Sequence, residues 1–284
     1  MAYDAPMFPP QRIVCLTEET VETLYLLGEE GRIVGVSGYA VRPPRVRREK
    51  PRVSAFISAD IDKILALGPD LVLTFSDLQA DIAASLIRHG VAVHAFNQRD
   101  VAGILAMIRT LGALVGASGK AEALVGSLER RLAEVQARAA RLVRRPRVYF
   151  EEWDEPMISG IGWVSELVTV AGGIDVFAAL AAQKSAKDRI VSPAAVIAAA
   201  PDIIIGSWCG KKFVPARVAA RPGFADIPAV RQNWLREIKS PLILQPGPAA
   251  LTDGLDALEK IIAEWSATAS NADGSRRSRA ARGV

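Results

Sequence analysis

The chain has 284 residues, half of them hydrophobic, and a net charge of +4. This length allows about two domains with large cores, and without a run of eighteen apolar residues it predicts no membrane span. Most of the net charge lies after Trp265, where four arginines accompany one aspartate, so the charge gives no indication of a nucleic-acid surface. We predict that residues 267–284 form a disordered basic tail and that no nucleic acid is bound.

Residues 1–117 alternate short apolar runs with stretches of helical spacing, which predicts an N-terminal α/β lobe with a parallel sheet. Thr17 or Thr20 can cap the first helix, and Ser58 or Asp60 the second. The basic segment 42–52 is predicted to be an irregular loop. The predicted strands are 12–16, 33–36, 71–75 and 91–95, and the predicted helices are 21–27, 58–67, 79–89 and 101–115.

Residues 118–145 are predicted to form one long helix. Apolar residues recur every three or four positions from Ala121 to Leu142, which gives a continuous apolar face. The arginines near its end suit the helix dipole, and Pro146 ends it. We expect this helix to link the N-terminal lobe to a C-terminal α/β lobe of residues 146–266.

The C-terminal lobe repeats the design of the first. SADIDKILALGPDLVLTFSD (58–77) and SPAAVIAAAPDIIIGSW (192–208) each contain a capped short helix, a Pro-Asp pair, a buried strand and then a serine. This repeat indicates two similar Rossmann-like lobes with parallel sheets. Because ligands of open α/β sheets bind outside the carboxyl ends of the strands, we expect a ligand cleft between the lobes. The predicted strands are 147–150, 203–206 and 235–238, and the predicted helices are 164–171, 192–200 and 251–265.

No motif for a resident cofactor or metal is present. The sequence contains no GxGxxG between a strand and a helix, no P-loop and no HExxH, and it has only two histidines. Its two cysteines, Cys15 and Cys209, do not make a disulfide framework and are expected to be reduced. We therefore predict neither a metal site nor an intrinsic cofactor.

Aromatic residues follow the predicted strands of both lobes. Trp153, Trp163 and Trp208 are predicted in loops of the second lobe, and Tyr39 and Phe56 in similar positions of the first. Such a lining suits a large, flat, partly apolar ligand. Candidate polar groups that would orient this ligand are Ser76, Gln79, Ser159, Lys211 and Lys212.

Acidic residues cluster after the first strand of each lobe, at Glu18 and Glu19 and again at Glu151, Glu152 and Asp154. In an enzyme they would form a general acid/base pair. Otherwise they are acids at helix starts or solvated charges. For Glu151 and Glu152, ligand contact and solvent exposure are equally compatible with the sequence.

Several segments in this order resemble the class III, helical-backbone solute-binding proteins of ABC importers, and in particular the vitamin B12-binding members. The segments are RIVCLTEETVETLYLLG, RIVGVSGY, ILALGPDLVL, RVYFEEWDEPMISGIGWVSELVTVAGG, VSPAAVIAAAPDIII and PAALTDGLDAL. The resemblance implies a monomeric binding protein, not an enzyme, that takes its ligand between two lobes. The same fold serves iron–siderophore, haem and cobalamin binding, so an iron–siderophore or haem ligand remains an alternative. A further alternative is a cytoplasmic enzyme that acts on a metal–tetrapyrrole.

The resemblance also implies roles for single residues. Phe56 stands where the B12-binding members have a first-lobe tryptophan, and Trp153 falls in the second-lobe segment that lines the cleft. Relatives dock to an ABC permease through one glutamate on each lobe; these positions hold Asp62 and Ala194 here. One docking acid is thus shortened and the other is replaced.

We therefore predict a corrinoid-binding protein. The resemblance allows ABC-type uptake as its use. Residues 1–12 lack a basic n-region and an apolar h-region, so the chain as it stands is expected to be cytoplasmic, or periplasmic if its leader is missing. The predicted ligand-binding residues are Glu18, Tyr39, Phe56, Ser76, Gln79, Glu151, Trp153, Trp163, Trp208 and Lys211.

Overall fold

A computed structural model describes the backbone of residues 8–280 and the side chains of residues 8–268. These residues divide into two compact units. Unit 1 contains residues 8–98, 102–128 and 245–249, and unit 2 contains residues 99–101, 129–244 and 250–280. The predicted lobe boundaries at 117 and 146 lie on either side of the division between residues 128 and 129.

Unit 1 is built on a five-stranded parallel sheet with the strand order β3-β2-β1-β4-β5. Its strands are β1 (Ile13–Cys15), β2 (Ile33–Ser37), β3 (Arg52–Ser54), β4 (Leu71–Phe75) and β5 (Val93–Phe96). Its helices are α1 (Glu18–Leu26), α2 (Val46–Glu49), α3 (Ile61–Ala66), α4 (Ala80–Arg88) and α5 (Val101–Leu114). The predicted alternation is confirmed, but the basic segment 42–52 is not wholly irregular, because it holds α2 and the start of β3.

The core of unit 1 explains why these strands are parallel and central. Val14 on β1 and Val72 on β4 are fully buried against Ile64 of α3 and Leu86 of α4. A strand covered on both faces reads as a continuous apolar run, as LVLTF in β4 does. The run therefore marks the middle of the sheet.

Unit 2 contains a second five-stranded sheet, in which β10-β9-β6-β7 are neighbours and β8 pairs with β6. Its strands are β6 (Arg147–Asp154), β7 (Met157–Ser159), β8 (Ile174–Asp175), β9 (Ile203–Gly206) and β10 (Leu235–Glu237). Helix α6 (Ser118–Ala139) precedes them, followed by α7 (Gly162–Val170), α8 (Ala178–Ala181), α9 (Pro193–Ala199), α10 (Pro215–Ala219), α11 (Pro228–Arg231), α12 (Ser240–Ile243) and α13 (Leu255–Ala280).

Two expectations for unit 2 are corrected by strand β6. It continues to Asp154 instead of ending at Phe150, and it pairs antiparallel with β7. The second sheet is therefore mostly parallel with one antiparallel edge strand. Trp153 accordingly lies in a strand, and Trp163 lies in the first turn of α7; the prediction that both lie in loops is wrong.

The internal repeat is confirmed in atomic detail. Asp70, after α3, accepts the backbone N–H of Arg12 at 2.9 Å, and Asp202, after α9, accepts that of Arg147 at 2.9 Å. In return, the Arg12 guanidinium donates to the carbonyls of residues 67 and 68 behind α3, while Arg147 donates to Ala199 at the end of α9. Each unit thus joins the end of its short helix to the start of its central strand in the same way.

Helix α6 begins at Ser118 as predicted but ends at Ala139, before the predicted end at Arg145. Arg145 instead donates to the carbonyls of Gly172 and Gly173, just behind α7. The positive charge expected at the end of α6 is therefore used at the end of another helix, where it also suits the dipole.

The last helix, α13, runs through the predicted start of the tail at residue 267 and continues to Ala280. The backbone marks no boundary there, and residues 281–284 lie outside the described residues. The disordered character of the tail stays a prediction. Among the described residues, every helix is too short or too polar to cross a bilayer.

Candidate functional site

The carboxyl ends of the unit 1 strands present an apolar surface. Tyr39 follows β2, Ile57 follows β3 and Leu78 follows β4, and all three are more than half exposed. Because the strands are parallel, these residues emerge at the same edge of the sheet. Half-buried Phe56 joins them. Ile57 and Leu78 were not predicted, although each is an apolar residue in a loop beside a predicted site residue.

Gln79 holds this edge together. Its carbonyl oxygen accepts the N–H of Phe75 at 2.9 Å, and its amide donates to the carbonyls of Leu16 at 3.2 Å and Phe56 at 2.7 Å. The side chain is buried. Gln79 therefore ties together the chain segments that follow β1, β3 and β4, and its polar atoms serve the protein backbone.

Glu18 and Glu19 are both buried in the first turn of α1. Burial raises the pKa of Glu18, and burial together with the neighbouring Glu18 raises the pKa of Glu19 to about 8. The Thr17 hydroxyl donates to Glu19 at 2.6 Å, so Thr17 stands at the predicted cap position but does not bond the helix backbone. At neutral pH, Glu19 is therefore mostly protonated.

Residues 245–249, which belong to unit 1, pack over this acid pair. Gln98 donates to the carbonyl of Pro246 at 2.9 Å, and the N–H of Ala249 donates to Glu22 at 2.9 Å. A Cβ added at Gly247 would lie 2.5 Å from the Cβ of Glu19. Only glycine allows the segment to pass so close, and the segment keeps Glu19 away from water.

In unit 2, Glu151 on β6 is fully buried and fully bonded. Arg221 donates to its two oxygens at 2.5 and 2.9 Å, Trp208 Nε1 donates at 2.9 Å and the Tyr149 hydroxyl at 3.0 Å. Burial and the Glu151 carboxylate raise the pKa of Tyr149. Glu151 is therefore shielded from solvent, and its hydrogen bonds join β6 to the segments that carry Trp208 and Arg221.

A second ion pair holds the β6–β7 hairpin. Arg189 is almost completely buried, donates to Glu152 at 2.6 and 3.2 Å and also contacts the carbonyl of Ser159. The Ser159 hydroxyl donates to the carbonyl of Arg189 at 3.1 Å. Glu152 and Ser159 are thus committed to structure.

The third acid of β6, Asp154, contacts the ammonium of Lys211 and lies 3.5 Å from the guanidinium of Arg217. The same Lys211 ammonium lies 3.9 Å from the centroid of the half-buried Trp153 ring. Trp153 Nε1 donates to the carbonyl of Glu155 at 2.8 Å. Lys211 therefore covers one face of a fixed indole.

A cavity of about 440 Å³ opens beside this group. Trp208 and Met157 give it an apolar wall, while Asp154, Arg217 and Arg221 contribute charge. An apolar wall with a few charged groups is typical of small-molecule sites. The cavity lies at the ends of β6 and β9, where the fold predicts ligand contact.

The predicted binding residues thus separate into two groups. The exposed or half-buried ones are Tyr39, Phe56, Trp153 and Lys211. The buried ones are Glu18, Ser76, Gln79, Glu151, Trp163 and Trp208. Trp163, for example, donates its Nε1 to the carbonyl of Ile243 at 2.8 Å. Ligand contact by any of the ten stays a prediction, and the placement of the first group favours it.

The two predicted docking positions occupy equivalent places. Asp62 is exposed in the first turn of α3, which Asp60 caps, and Ala194 is exposed in the first turn of α9, which Ser192 caps. Among the described residues, no three His, Cys, Asp or Glu side chains form a group that could hold a metal ion.

Comparison with known proteins places this geometry in context. The chain is 26% identical over 266 residues to an uncharacterized ABC transporter substrate-binding lipoprotein of Bacillus subtilis, covering 89% of this chain and 80% of the relative. It is 24% identical over 261 residues to the vitamin B12-binding protein of Vibrio cholerae, covering 90% of each. A periplasmic heme-binding protein of a Roseiflexus species has a similar structure, with a TM-score of 0.76, 25% identity, and coverage of 89% of this chain and 99% of that chain.

A family model also matches most of the chain. The periplasmic binding protein family matches residues 13–242, which include both sheets and every predicted site residue. This is a family of binding proteins of ABC transporters and not of enzymes, so the acid/base reading of Glu18, Glu151 and Glu152 is excluded. The chain belongs to the periplasmic binding protein family.

Proposed function

We propose that this chain captures a corrinoid such as cobalamin, with contacts from exposed aromatic and apolar residues at the carboxyl ends of its parallel strands. The observation that carries the proposal is the apolar surface of Tyr39, Phe56, Ile57 and Leu78 at one sheet edge. A large macrocycle with an apolar face and a polar rim matches such a surface, and the half-buried indole of Trp153 is a candidate stacking contact in its own right. The name of the Vibrio relative agrees with this ligand class.

A second candidate is haem or an iron–siderophore complex. The positive side chains of Lys211 and Arg217 near Trp153 suit ligands that carry carboxylates. The name of the Roseiflexus relative agrees with haem. Both candidates need the same aromatic contacts, so one set of variants tests both.

The test is titration calorimetry and absorbance spectroscopy of the purified protein with cyanocobalamin, haem and a ferric siderophore. We expect cyanocobalamin to bind with one ligand per chain and to be recovered chemically unchanged. Failure of all three to bind would overturn the proposal. Tighter binding of haem or the siderophore would replace the first candidate by the second.

Variants locate the contacts. Trp153→Ala should lower affinity by roughly tenfold or more, because a buried aromatic contact contributes about 1–3 kcal/mol. Ile57→Ala should lower it by roughly threefold to tenfold through lost apolar area. Ile87→Ala is the matched control: Ile87 is 60% exposed beside 71% for Ile57, but it lies in the last turn of α4, which returns to the opposite end of the sheet.

Delivery and location form a separate part of the proposal. With Asp62 but Ala194 at the two docking positions, we infer weaker permease docking than in relatives with two acids. Ala194→Glu should strengthen co-purification with a permease expressed in the same cells. Fractionation of cells that express the natural gene would show whether the protein is cytoplasmic, as we predict, or periplasmic.

A further inference from the structure

Lys211 connects the exposed part of the loop after β9 to β6. Residues 209–212 are exposed, and Lys211 reaches from them to the Trp153 ring and to Asp154. The Asp154 side chain is only 3% exposed, whereas that of Lys211 is 37% exposed. The partly solvated Lys211 ammonium therefore covers one face of the Trp153 ring and at the same time pairs with the buried Asp154 carboxylate.

Two cations, Lys211 and Arg217, lie near the single Asp154 carboxylate, so one of them is enough to balance its charge. Asp154 faces both Lys211 and Arg217, and the Arg217 side chain is 61% exposed, so it can approach further from its present 3.5 Å. Glu151, by contrast, is already matched by both nitrogens of Arg221. Lys211 can thus leave Asp154 without stranding a buried charge, whereas Arg221 cannot leave Glu151.

A planar ligand that stacks on this face of Trp153 must displace the ammonium. The displaced contact combines a cation–π interaction and a partly exposed ion pair, together worth roughly a tenfold change in affinity. A ligand without a negative group leaves this cost uncompensated. A ligand with an oxyanion at its edge offers Lys211 a charge-assisted hydrogen bond in exchange.

We propose that Lys211 is a specificity-determining residue: it covers Trp153 in the free protein and pairs with an oxyanion, carboxylate or phosphate, at the edge of the ligand that stacks there. This inference rests on the proposed function, because it takes Trp153 as a ligand contact. Within each class of macrocycle, Lys211 would favour the members that carry such an oxyanion.

Two ligand pairs test the inference, each differing in the oxyanion. Cyanocobalamin carries a phosphodiester that dicyanocobinamide lacks, and haem carries propionates that its dimethyl ester lacks. The wild type should bind the anionic member of the responsive pair more tightly. Lys211→Met should reduce that preference by roughly tenfold, the size of one charge-assisted hydrogen bond, by weakening the anionic member and strengthening the neutral one.

Lys260→Met is the control, because it removes the same charge from an exposed lysine of unit 2, on helix α13. It should keep the wild-type preference. If the wild type binds and Trp153→Ala weakens binding, but Lys211→Met keeps the full preference, this inference is overturned while the proposed function stands. If no macrocycle binds the wild type, both are overturned. The pair that responds identifies the oxyanion as phosphate or carboxylate.

Discussion

The two units place acids at the carboxyl ends of their first strands but neutralise them differently. In unit 1, Glu18 and Glu19 are buried side by side, and among residues 8–268 neither forms an ion pair. In unit 2, Glu151, Glu152 and Asp154 each meet an arginine or a lysine. A buried carboxyl must either keep its proton or find a cation, and the two units represent the two solutions.

This difference gives the two sheet edges different characters. The exposed side chains at the edge of unit 1 include large apolar residues such as Ile57 and Leu78. The edge of unit 2 is held by three ion pairs and exposes cations on Lys211 and Arg217.

The largest effect is expected from breaking the buried pair of unit 2. Arg221→Met leaves the Glu151 carboxylate buried without a cation and should lower the free energy of unfolding by about 3–5 kcal/mol. Urea unfolding followed by tryptophan fluorescence measures this directly, because all five tryptophans lie in unit 2.

The double variant Glu151→Gln with Arg221→Met is the control for this prediction. The neutral amide no longer needs a cation; its oxygen can accept from Trp208 and its N–H can donate to the Tyr149 hydroxyl, so most of the lost stability should return. A single variant that loses less than about 1 kcal/mol would mean that the charge of Glu151 is not sequestered as the geometry indicates.

The second prediction concerns the protonated acid of unit 1. The folded pKa of Glu19, about 8, lies above its ordinary value of 4.5, so the folded state holds the proton more tightly than the unfolded chain. Its stabilising contribution is present below pH 4.5 and is lost as the pH rises to 8. Glu19→Gln should remove this slope and be a few kcal/mol more stable than the wild type at pH 9, since each pKa unit corresponds to about 1.4 kcal/mol.

Thermal and urea unfolding of both proteins at pH 5 and pH 9, followed by circular dichroism, tests the slope. Asp62→Asn is the control, because it removes an exposed acid from the same unit and should leave the wild-type dependence unchanged. Equal slopes for the wild type and Glu19→Gln would show that Glu19 is ionised in the folded state, and the contrast between the units would disappear.

Much of the fold could be predicted because its signals are local. The Pro-Asp turn after a capped helix recurs with the same contacts at Asp70 and Asp202, and apolar runs such as LVLTF mark buried strands. The antiparallel strand β7 could not be predicted in this way. It has only three residues, Met157–Ser159, and besides its pairing with β6 it is held by Arg189, thirty residues along the chain from Ser159.

The candidate site could be predicted less well, because the burial of each side chain decides whether that side chain can face a ligand. Trp153 and Trp208 look alike in sequence, yet the first carries Lys211 on its ring and the second is buried on Glu151. Which acid receives a cation likewise depends on Arg221, seventy residues from Glu151 along the chain. Residue type and local spacing contain no information on such distant partners.

The smallest effect should come from an ion pair with the same groups but without burial. Arg138 on α6 donates to both oxygens of Glu259 on α13, at 2.5 and 3.0 Å, so its geometry matches that of Arg221 with Glu151. The Arg138 side chain is half exposed, so water and salt screen the pair. Arg138→Ala should shift the urea midpoint far less than Arg221→Met does, and a double-mutant cycle with Glu259→Ala should give only a small coupling that fades in 1 M salt. A coupling as large as that of the buried pair would mean that bidentate geometry, and not burial, distinguishes the acids of unit 2.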